Sequence, residues 1–295
     1  MIEAAPLVSV LMTIYNKEKY LSEAIRSVLD SSFNDFELLL VDDGSVDGSR
    51  KIMQEFAAMD SRIRFHFNEQ NLGDYHNRNL AASLARGKYI KYLDADDVLY
   101  PWTLKVMSEH MERHPMAAYG LDSLEPDLLT PFPLLLDPQQ TYNRHYFTAP
   151  VFHKAPSSSI IRRDLFFEEG GFSGKRFVGD LEFWMKLSRK HFVLLMPQGM
   201  VWARSHEGQE SKLIWNDSNI VFQYLLTELA ALKHDDCPMA RESGSVFIKR
   251  VERAMARSAF RSLLIDWQFS TFRQKQLKSG IGFVQMVRIL LSSYA

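Results

Sequence analysis

The sequence predicts an α/β fold, an open and mostly parallel Rossmann-like sheet flanked by helices, with a helical appendage at the C-terminus. Two observations carry this prediction. Residues 7–14 and 36–42 are nearly continuous apolar runs of strand length, as is typical of parallel strands buried on both faces. Strand-like runs then alternate with helical spacing as far as residue 93, and such alternation favours right-handed β-α-β crossovers.

The elements follow in chain order. Strands are predicted at 7–14, 36–42, 63–67 and 89–93, and the helices between them at about 21–29, 48–59 and 74–85. A helix at 102–114 begins just after Pro101, as the residue's preference for a first helical turn suggests. Beyond it we expect a strand at 157–161, a helix at 180–189, a strand at 192–196, and long helices at about 214–233 and 246–265.

The stretch from 120 to 150 interrupts this regularity. It contains five prolines, which remove backbone donors and fix the backbone angle φ (Pro126, Pro131, Pro133, Pro138, Pro150). We therefore expect irregular backbone here, in the form of a mobile loop over the site.

Composition narrows the class of protein. The 295 residues are 46% hydrophobic with a formal charge of -1, which suits one large folded domain with an appendage. No apolar run is long enough to cross a membrane and the N-terminus lacks a secretory signal, so we expect a cytoplasmic protein. A single cysteine, Cys237, excludes an internal disulfide and a CxxC motif.

Polar residues follow each of the first four strands. They lie at 13–16, 42–45, 68–73 and 94–97. Because ligands of open α/β sheets bind beyond the carboxyl ends of the strands, the sequence predicts a binding site at this rim.

Three acids stand together after the fourth strand, Asp94, Asp96 and Asp97. Carboxylates so close repel one another, so a divalent cation is expected to share the site. Hard oxygen ligands suit Mg²⁺ or Mn²⁺, whose usual partner is a phosphate group. A turn or a helix N-cap is an alternative reading of the same residues.

Four motifs together resemble those of the family 2 glycosyltransferases of the GT-A fold, in order and in spacing. They are PLVSVLMTIYNK at 6–17, FELLLVDDGSVDG at 36–48, NLG at 71–73 with Arg78 and Asn79, and YLDADD at 92–97. A weaker likeness continues through 179–184 and 202–211. The resemblance implies a GT-A domain over 1–212, with a nucleotide-binding half to about 98 and an acceptor-binding half from about 99, and a helical basic region over 213–295.

The resemblance also assigns nucleotide-binding roles. Asp43, with Asp42 beside it, corresponds to the carboxylate that accepts a hydrogen bond from the imide of uracil or thymine. The same residues also suit a turn, with Gly44 at positive φ and Asp47 capping the next helix. Thr13 and Tyr15 are expected to wall the base, and Arg78 to approach ribose or diphosphate, although a surface arginine is an equal reading.

The remaining roles concern the metal and the chemistry. Asp94 and Asp96 match the DxD motif, with Asp94 expected near the nucleotide and Asp96 on the metal, Mn²⁺ or Mg²⁺. Asp180 matches the base of an inverting enzyme, which removes the proton of the acceptor hydroxyl. Many relatives have Glu-Asp where this chain has Gly179-Asp180, an N-cap is an alternative role, and Glu182 is the fallback base. His206 aligns with a histidine that in some relatives completes the metal shell or contacts the diphosphate.

Two tryptophans of the acceptor half have a less definite assignment. Trp184 and Trp202 could stack on an acceptor sugar or pack in the core.

The function implied is transfer of a sugar from a UDP- or dTDP-sugar to a saccharide or lipid-linked acceptor in bacterial cell-surface polysaccharide or glycolipid assembly. Two alternatives stay open. A nucleotidyltransferase would carry a glycine-rich phosphate loop after its first strand, where this chain has Tyr15-Asn16-Lys17. A non-catalytic nucleotide-sugar-binding protein would bind the donor without turnover.

The last part of the chain is basic. From residue 241 it has ten Lys and Arg against three acids, a formal charge of +7, which leaves -8 for residues 1–240. Apolar and basic residues alternate over 246–265, which suits a cationic amphipathic helix. It could lie on an anionic membrane, pack on the acidic body or pair with another subunit; nucleic acid is not expected as a partner.

Overall fold

The computed structural model describes residues 5–122, 131–206 and 217–292, which divide into two compact units between Ser205 and His206. The strands of the first unit are β1 (Val8–Ile14), β2 (Phe36–Asp42), β3 (Ile63–Phe67), β4 (Tyr89–Tyr92), β5 (Val98–Leu99), β6 (Ala117–Asp122), β7 (Leu134–Leu136), β8 (Ser159–Arg162), β9 (Phe192–Met196) and β10 (Val201–Trp202). Its helices are α1 (Glu18–Leu29), α2 (Ser49–Met59), α3 (Asp74–Leu84), α4 (Thr103–Arg113), α5 (Pro138–Phe147), α6 (Arg163–Glu168) and α7 (Gly179–Ser188).

Eight strands form one sheet in the order β3-β2-β1-β4-β8-β6-β9-β7, and β5 pairs with β10 separately. The first four are parallel, β8 runs antiparallel to both β4 and β6, and β9 is parallel to β6. Every residue of β2 is buried, which explains its unbroken apolar run. The structure confirms the predicted α/β fold with a mostly parallel sheet.

The core lies between this sheet and the helices on its faces. Helix α1 contributes one side of its surface, on which Leu21, Ile25 and Val28 are fully buried. These side chains pack with β1 and β2 residues such as Val10 and Leu38. This packing fixes the positions of the strand ends, and therefore the positions of the polar side chains that follow them.

The proline-rich stretch is more regular than expected. Strand β7 and helix α5 occupy much of 131–150, so the prediction of irregular backbone is wrong there, while residues 123–130 lie outside the described ones. Proline itself helps, since Pro138 takes the first position of α5, where no backbone donor is needed. Asp137 and Gln140 complete a capping box that satisfies the first backbone N–H groups.

The second unit is helical, as expected for the C-terminal region. Its helices are α8 (Ser218–Leu232), α9 (Arg241–Leu264), α10 (Phe269–Ser279) and α11 (Phe283–Leu291). Helix α9 packs against the other three and buries its apolar stripe there, through Phe247, Val251, Met255, Ala256 and Ala259. Much of the apolar face that the sequence offered to a membrane is therefore covered by the unit's own helices, whereas Val246 and Leu264 stay exposed near the two ends of α9. Among the described residues, no helix is long and apolar enough to span a membrane.

A buried polar network joins three neighbouring strands on one face of the sheet. Glu37 of β2 accepts hydrogen bonds from Ser9 Oγ (2.6 Å), Arg64 Nη1 (2.8 Å) and the Arg86 backbone N–H (2.7 Å). Burial by itself would raise the pKa of Glu37, but the hydrogen bonds outweigh it and hold this pKa below its ordinary value. The network stabilises the fold above the ordinary carboxyl pKa and loses that effect as the pH falls through the lowered one.

We expect Glu37→Ala to lower the free energy of unfolding by about 3–5 kcal/mol, because it leaves buried donors and a guanidinium without their acceptor. Urea unfolding at pH 7 measures the effect. The matched control is Glu55→Ala, whose carboxylate is exposed and, within the described part of the chain, pairs with Lys51 across one helical turn. A loss for Glu37→Ala no larger than for Glu55→Ala would contradict the assignment.

Candidate active site

The loop after β2 begins with a carboxylate that is wholly internal. Asp42 has no exposed surface, and it accepts hydrogen bonds from Arg50 Nε (2.7 Å) and from the N–H groups of Gly44 (3.2 Å) and Ser45 (3.1 Å). Gly44, at φ +83, makes the turn possible. Asp42 therefore holds the loop in place, and its predicted contact with a nucleotide stays a prediction.

Asp43 connects this loop to the segment before α3. Its carboxylate accepts from Asn68 Nδ2 (2.8 Å), the Leu72 N–H (2.8 Å) and the Gly73 N–H (2.9 Å). A carboxylate has about four acceptor positions, so one remains for a ligand donor. Asp43 thus orders the NLG segment and has a single hydrogen-bonding position left for the predicted contact with a base.

The loop after β1 is tied to the loop after β2. Asn16, at φ 53, donates its N–H to Ser45 Oγ (2.9 Å) and accepts from the Val46 N–H (2.9 Å). Next to it, the Lys17 N–H donates to Ser49 Oγ (2.9 Å). Thr13 is partly buried at the end of β1 and Tyr15 is half exposed, so both lie on the rim where the sequence predicts a base-binding wall.

The three acids after β4 each meet a protein cation or donor. Arg78 Nη2 lies 2.6 Å from Asp94 Oδ1, and Lys17 Nζ lies 2.5 Å from Asp96 Oδ2. Asp97 is buried and accepts from the Arg204 N–H (3.0 Å), so it does not cap the following helix α4. Lys17 and Arg204 were not predicted as site residues, although both lie within the matching motifs.

Arg204 reinforces the acid cluster from the other end of the unit. Its Nε donates to the Asp96 carbonyl oxygen (2.9 Å) and its Nη2 to Glu23 (2.5 Å). The guanidinium also lies over the rings of Tyr20 and Trp202. Trp202 stays half exposed beside the site, whereas Trp184 is fully buried and stacks on Tyr119 in the core, which excludes Trp184 as an acceptor-stacking residue.

The acid cluster holds three carboxylates close together in a partly buried setting. Burial, with the carboxylates of Asp94 and Asp96, raises the pKa of Asp97 to about 7. Asp94 and Asp96 keep part of their carboxylates exposed to the rim. Closely spaced carboxylate oxygens are ligands of the kind that Mg²⁺ and Mn²⁺ prefer. His206, the predicted further ligand, is the first residue of the second unit, and its role stays a prediction.

Helix α3 links the acid cluster to Asp180. Arg78 is nearly buried and pairs with Asp94 and with Asp74. Tyr75, on the same helix, hydrogen-bonds to the Asp180 side chain. Burial raises the pKa of Asp180 to about 6, although this hydrogen bond and that from the Leu181 N–H (2.7 Å) favour the ionised form.

A steric constraint explains why the residue before Asp180 is a glycine. A Cβ atom at Gly179 would lie 2.8 Å from the Tyr75 ring, closer than carbon atoms can approach. The ring therefore occupies the space that a glutamate would need at this position. The departure from the Glu-Asp pattern thus accompanies the placement of Tyr75 against Asp180.

The fallback base is less suited to remove a proton. Glu182 is paired with Lys175 (2.5 Å) and also accepts from Ser173 Oγ. Asp180 forms no salt bridge with a described Lys or Arg. A carboxylate stabilised by an ammonium group is a weaker base, so the geometry favours Asp180.

Tyr75→Phe is expected to raise the pKa of Asp180 by roughly 0.5–1 unit, because it removes a hydrogen bond to the ionised carboxylate but keeps the ring against Gly179. The acid limb of the pH dependence of kcat/KM should move upward by the same amount. Tyr20→Phe, on α1, is the control. An unchanged acid limb would show that Tyr75 does not act through Asp180.

Lys17→Ala is expected to tighten Mn²⁺ binding about two- to tenfold, because the ammonium group competes with a metal ion for Asp96. Electron paramagnetic resonance of free Mn²⁺, without nucleotide, measures the affinity. Lys19→Ala, at an exposed lysine in the first turn of α1, should leave the Mn²⁺ affinity unchanged. Weaker Mn²⁺ binding in Lys17→Ala would count against competition.

A mostly parallel sheet with a loop of buried carboxylates after β2 and an acid cluster after β4 defines an α/β protein of the GT-A class. The chain belongs to glycosyl transferase family 2, whose family model matches residues 9–168.

Known proteins show the same likeness. A putative teichuronic acid biosynthesis glycosyltransferase, TuaG of Bacillus subtilis, is 42% identical over 92 residues, or 31% of this chain and 36% of that relative. Matches to other curated relatives cover 38% and 46% of their length. The crystal structure of S. aureus TarS 1-349 with UDP-GlcNAc has a TM-score of 0.70 at 17% identity, covering 96% of this chain and 81% of that one. The mannosyltransferase PcManGT from Pyrobaculum calidifontis, with GDP-Man and Mn²⁺, has a TM-score of 0.64 at 18% identity, covering 97% and 79%.

Proposed function

We propose that this protein transfers a sugar from a UDP- or dTDP-sugar to the hydroxyl group of a saccharide or lipid-linked acceptor, with inversion at the anomeric carbon. One observation carries the proposal. Helix α3 places Arg78 on Asp94 of the acid cluster and Tyr75 on Asp180, so that a diphosphate-binding region and a candidate base share one rigid support.

The nucleotide end of the site is assigned to the loops after β1 and β2. The remaining acceptor position of Asp43 suits the imide N–H of a uracil or thymine, and Thr13 and Tyr15 flank the base. Arg78 pairs with Asp94 and lies on the helix that also carries Tyr75, and we assign Arg78 and Asp94 to contacts with ribose or diphosphate.

The metal is assigned to the acid cluster. Asp96 is the proposed ligand of Mn²⁺ or Mg²⁺, and such an ion supplies charge neutralisation on the departing diphosphate. The exposed part of the Asp94 and Asp96 carboxylates supports this choice, because it leaves oxygen atoms of both residues accessible to an ion. The structure of the mannosyltransferase PcManGT, which has a similar fold, contains GDP-Man and Mn²⁺.

Asp180 is the proposed base. The acceptor oxygen bonds to the anomeric carbon, its proton passes to Asp180, and the bond from that carbon to the diphosphate oxygen breaks with its electron pair leaving on the diphosphate. A pKa near 6 leaves the carboxylate ionised at neutral pH and basic enough to accept this proton.

The biological context is proposed from relatives. TuaG is named for teichuronic acid biosynthesis, and we propose a related place for this protein in bacterial cell-surface polysaccharide or glycolipid assembly. The acceptor is then a growing saccharide or its lipid-linked form.

A thermal-shift screen with UDP, dTDP, GDP and ADP, each with and without Mn²⁺, tests the donor class. Ligand at one hundred times its Kd stabilises the folded state by about 2.7 kcal/mol. We expect the largest shift with UDP or dTDP plus Mn²⁺, followed by release of that diphosphate from the matching nucleotide sugar. A preference for GDP would contradict the assignment of uracil or thymine as the nucleobase. Release of pyrophosphate would indicate a nucleotidyltransferase. Binding of the nucleotide sugar without turnover would indicate a non-catalytic protein.

A further inference from the structure

We propose that the second unit docks onto an anionic lipid bilayer through the turn between α9 and α10, and this proposal does not depend on the proposed transfer reaction. The turn and its surroundings present large apolar side chains to solvent. Leu264, Ile265, Trp267 and Phe269 are all exposed, and Trp267 is 86% exposed. Four exposed large apolar residues within six positions are a concentration that soluble proteins seldom leave uncovered.

Helix α10 extends this surface. Phe269, Arg273 and Leu277 recur at intervals of four residues, so they lie along one side of the helix, and all three are exposed. Apolar side chains with an arginine between them suit a bilayer interface, where the rings and alkyl groups enter the headgroup region and the guanidinium stays at the phosphates. The docking surface is thus residues 264–269 with Arg273 and Leu277.

The backbone of the turn supports a functional reading. Trp267 has φ 52, in the left-handed region that bulky residues rarely adopt. The conformation is unfavourable for tryptophan, and the indole gains almost no burial within the chain to offset it. Burial of the indole at a membrane interface, where tryptophan is enriched, would provide that offset.

The charge around the surface identifies the partner. From Arg253 to the C-terminus the sequence has seven Lys and Arg and one acid, Asp266, which lies in the turn itself. Arg257, Arg261, Arg273, Lys278 and Arg288 are exposed, and none forms a salt bridge with a described carboxylate. A second copy of the chain would bring like charges together, whereas anionic headgroups are complementary to them.

Co-sedimentation with vesicles tests the proposal. We expect the full chain to bind vesicles of phosphatidylcholine that contain about 30% phosphatidylglycerol. It should bind vesicles of pure phosphatidylcholine much less, and high salt should release it from the anionic vesicles. Ile265→Ser/Trp267→Ser/Phe269→Ser should weaken binding about tenfold or more. Arg261→Gln and Arg273→Gln should each weaken it about fivefold.

Control variants distinguish specific docking from non-specific hydrophobic adsorption and from unfolding. Met59→Ser/Met116→Ser removes exposed apolar residues of the first unit and should bind like the wild type. The triple variant should keep its thermal shift with UDP and Mn²⁺, or, failing that, its circular dichroism and melting transition. Trp267→Phe should still bind, while the blue shift of tryptophan fluorescence on vesicle addition is lost.

Three results would overturn the proposal. One is a wild-type chain that does not co-sediment with anionic vesicles. Another is a triple variant that binds these vesicles as well as the wild type does. The third is light scattering that shows a dimer without lipid, converted to a monomer by the triple variant, because the surface would then be a subunit interface.

Discussion

Asp180→Asn is expected to lower kcat/KM for sugar transfer by about 10²–10⁴-fold, because an amide cannot accept the proton of the acceptor hydroxyl. The substitution keeps the shape of the side chain, and its carbonyl oxygen can still accept from the Leu181 N–H and the Tyr75 hydroxyl. Binding of the nucleotide, measured by thermal shift, should therefore be unchanged. Steady-state kinetics between pH 5 and 9 measure the loss.

The same variant should be more stable than the wild type at neutral pH. The folded-state pKa of Asp180 is raised to about 6, so ionisation of this carboxyl at pH 7 costs folding free energy. After a discount for partial exposure, we expect a gain on the order of 1–2 kcal/mol for Asp180→Asn above pH 6. The gain should vanish below about pH 4, where the carboxyl is protonated in both the folded and the unfolded state.

Glu182→Gln is the matched control for both measurements. It lies on the same helix, but its carboxylate is paired with Lys175, so a reduction of less than about tenfold is expected. The wild-type kcat/KM should itself fall as the pH drops through about 6, because protonated Asp180 is no base. If Glu182→Gln is inactive and Asp180→Asn is active, the base has been assigned to the wrong residue.

Asp96→Asn is expected to reduce transfer by about 10²–10⁴-fold, since metal stabilisation of a leaving diphosphate is worth several kcal/mol. Unlike Asp180→Asn, it should weaken Mn²⁺ binding at least ~10-fold and remove the metal-dependent part of the thermal shift with UDP. Mn²⁺ paramagnetic resonance and the nucleotide screen provide these two measurements.

Asp30→Asn, an exposed acid at the end of α1, controls for the loss of one negative charge. Addition of EDTA to the wild type should reproduce the activity of Asp96→Asn. Transfer that survives both EDTA and the Asp96 substitution would exclude the metal-dependent form of the proposal, while leaving the role of Asp180 to be judged from its own pH profile.

The rim of the sheet illustrates what local pattern can predict. Residues 36–42 are apolar throughout because β2 is buried on both faces, and the polar residues that follow can only lie at its carboxyl end. Since β1, β2, β3 and β4 are parallel, their ends meet at one edge. Asp43 and Asp94 could thus be assigned to one edge of the sheet from the sequence.

The same reasoning fails for contacts between distant segments. Lys17 and Asp96 are 79 residues apart, and no periodicity relates them. Tyr75 and Gly179 are more distant still, so a glycine that looked like a departure from the motif is understood only when the ring is seen against it. Local pattern also missed β6 and α5, because the former contains Ala and Gly and the latter lies among prolines.

The sequence by itself determined the alternation of strands and helices, the polar edge at the carboxyl ends of the strands, and the acids on that edge. The order of apolar and polar residues predicts them, because it reflects which strands are buried and that they run parallel. The tertiary structure alone decided which acids are available. It buried Asp42 within its own loop, paired Asp96 with Lys17 and set Asp180 against Tyr75, because desolvation and hydrogen bonding depend on neighbours brought together only by folding. It also covered the apolar stripe of α9 and left Trp267 exposed in the turn after it.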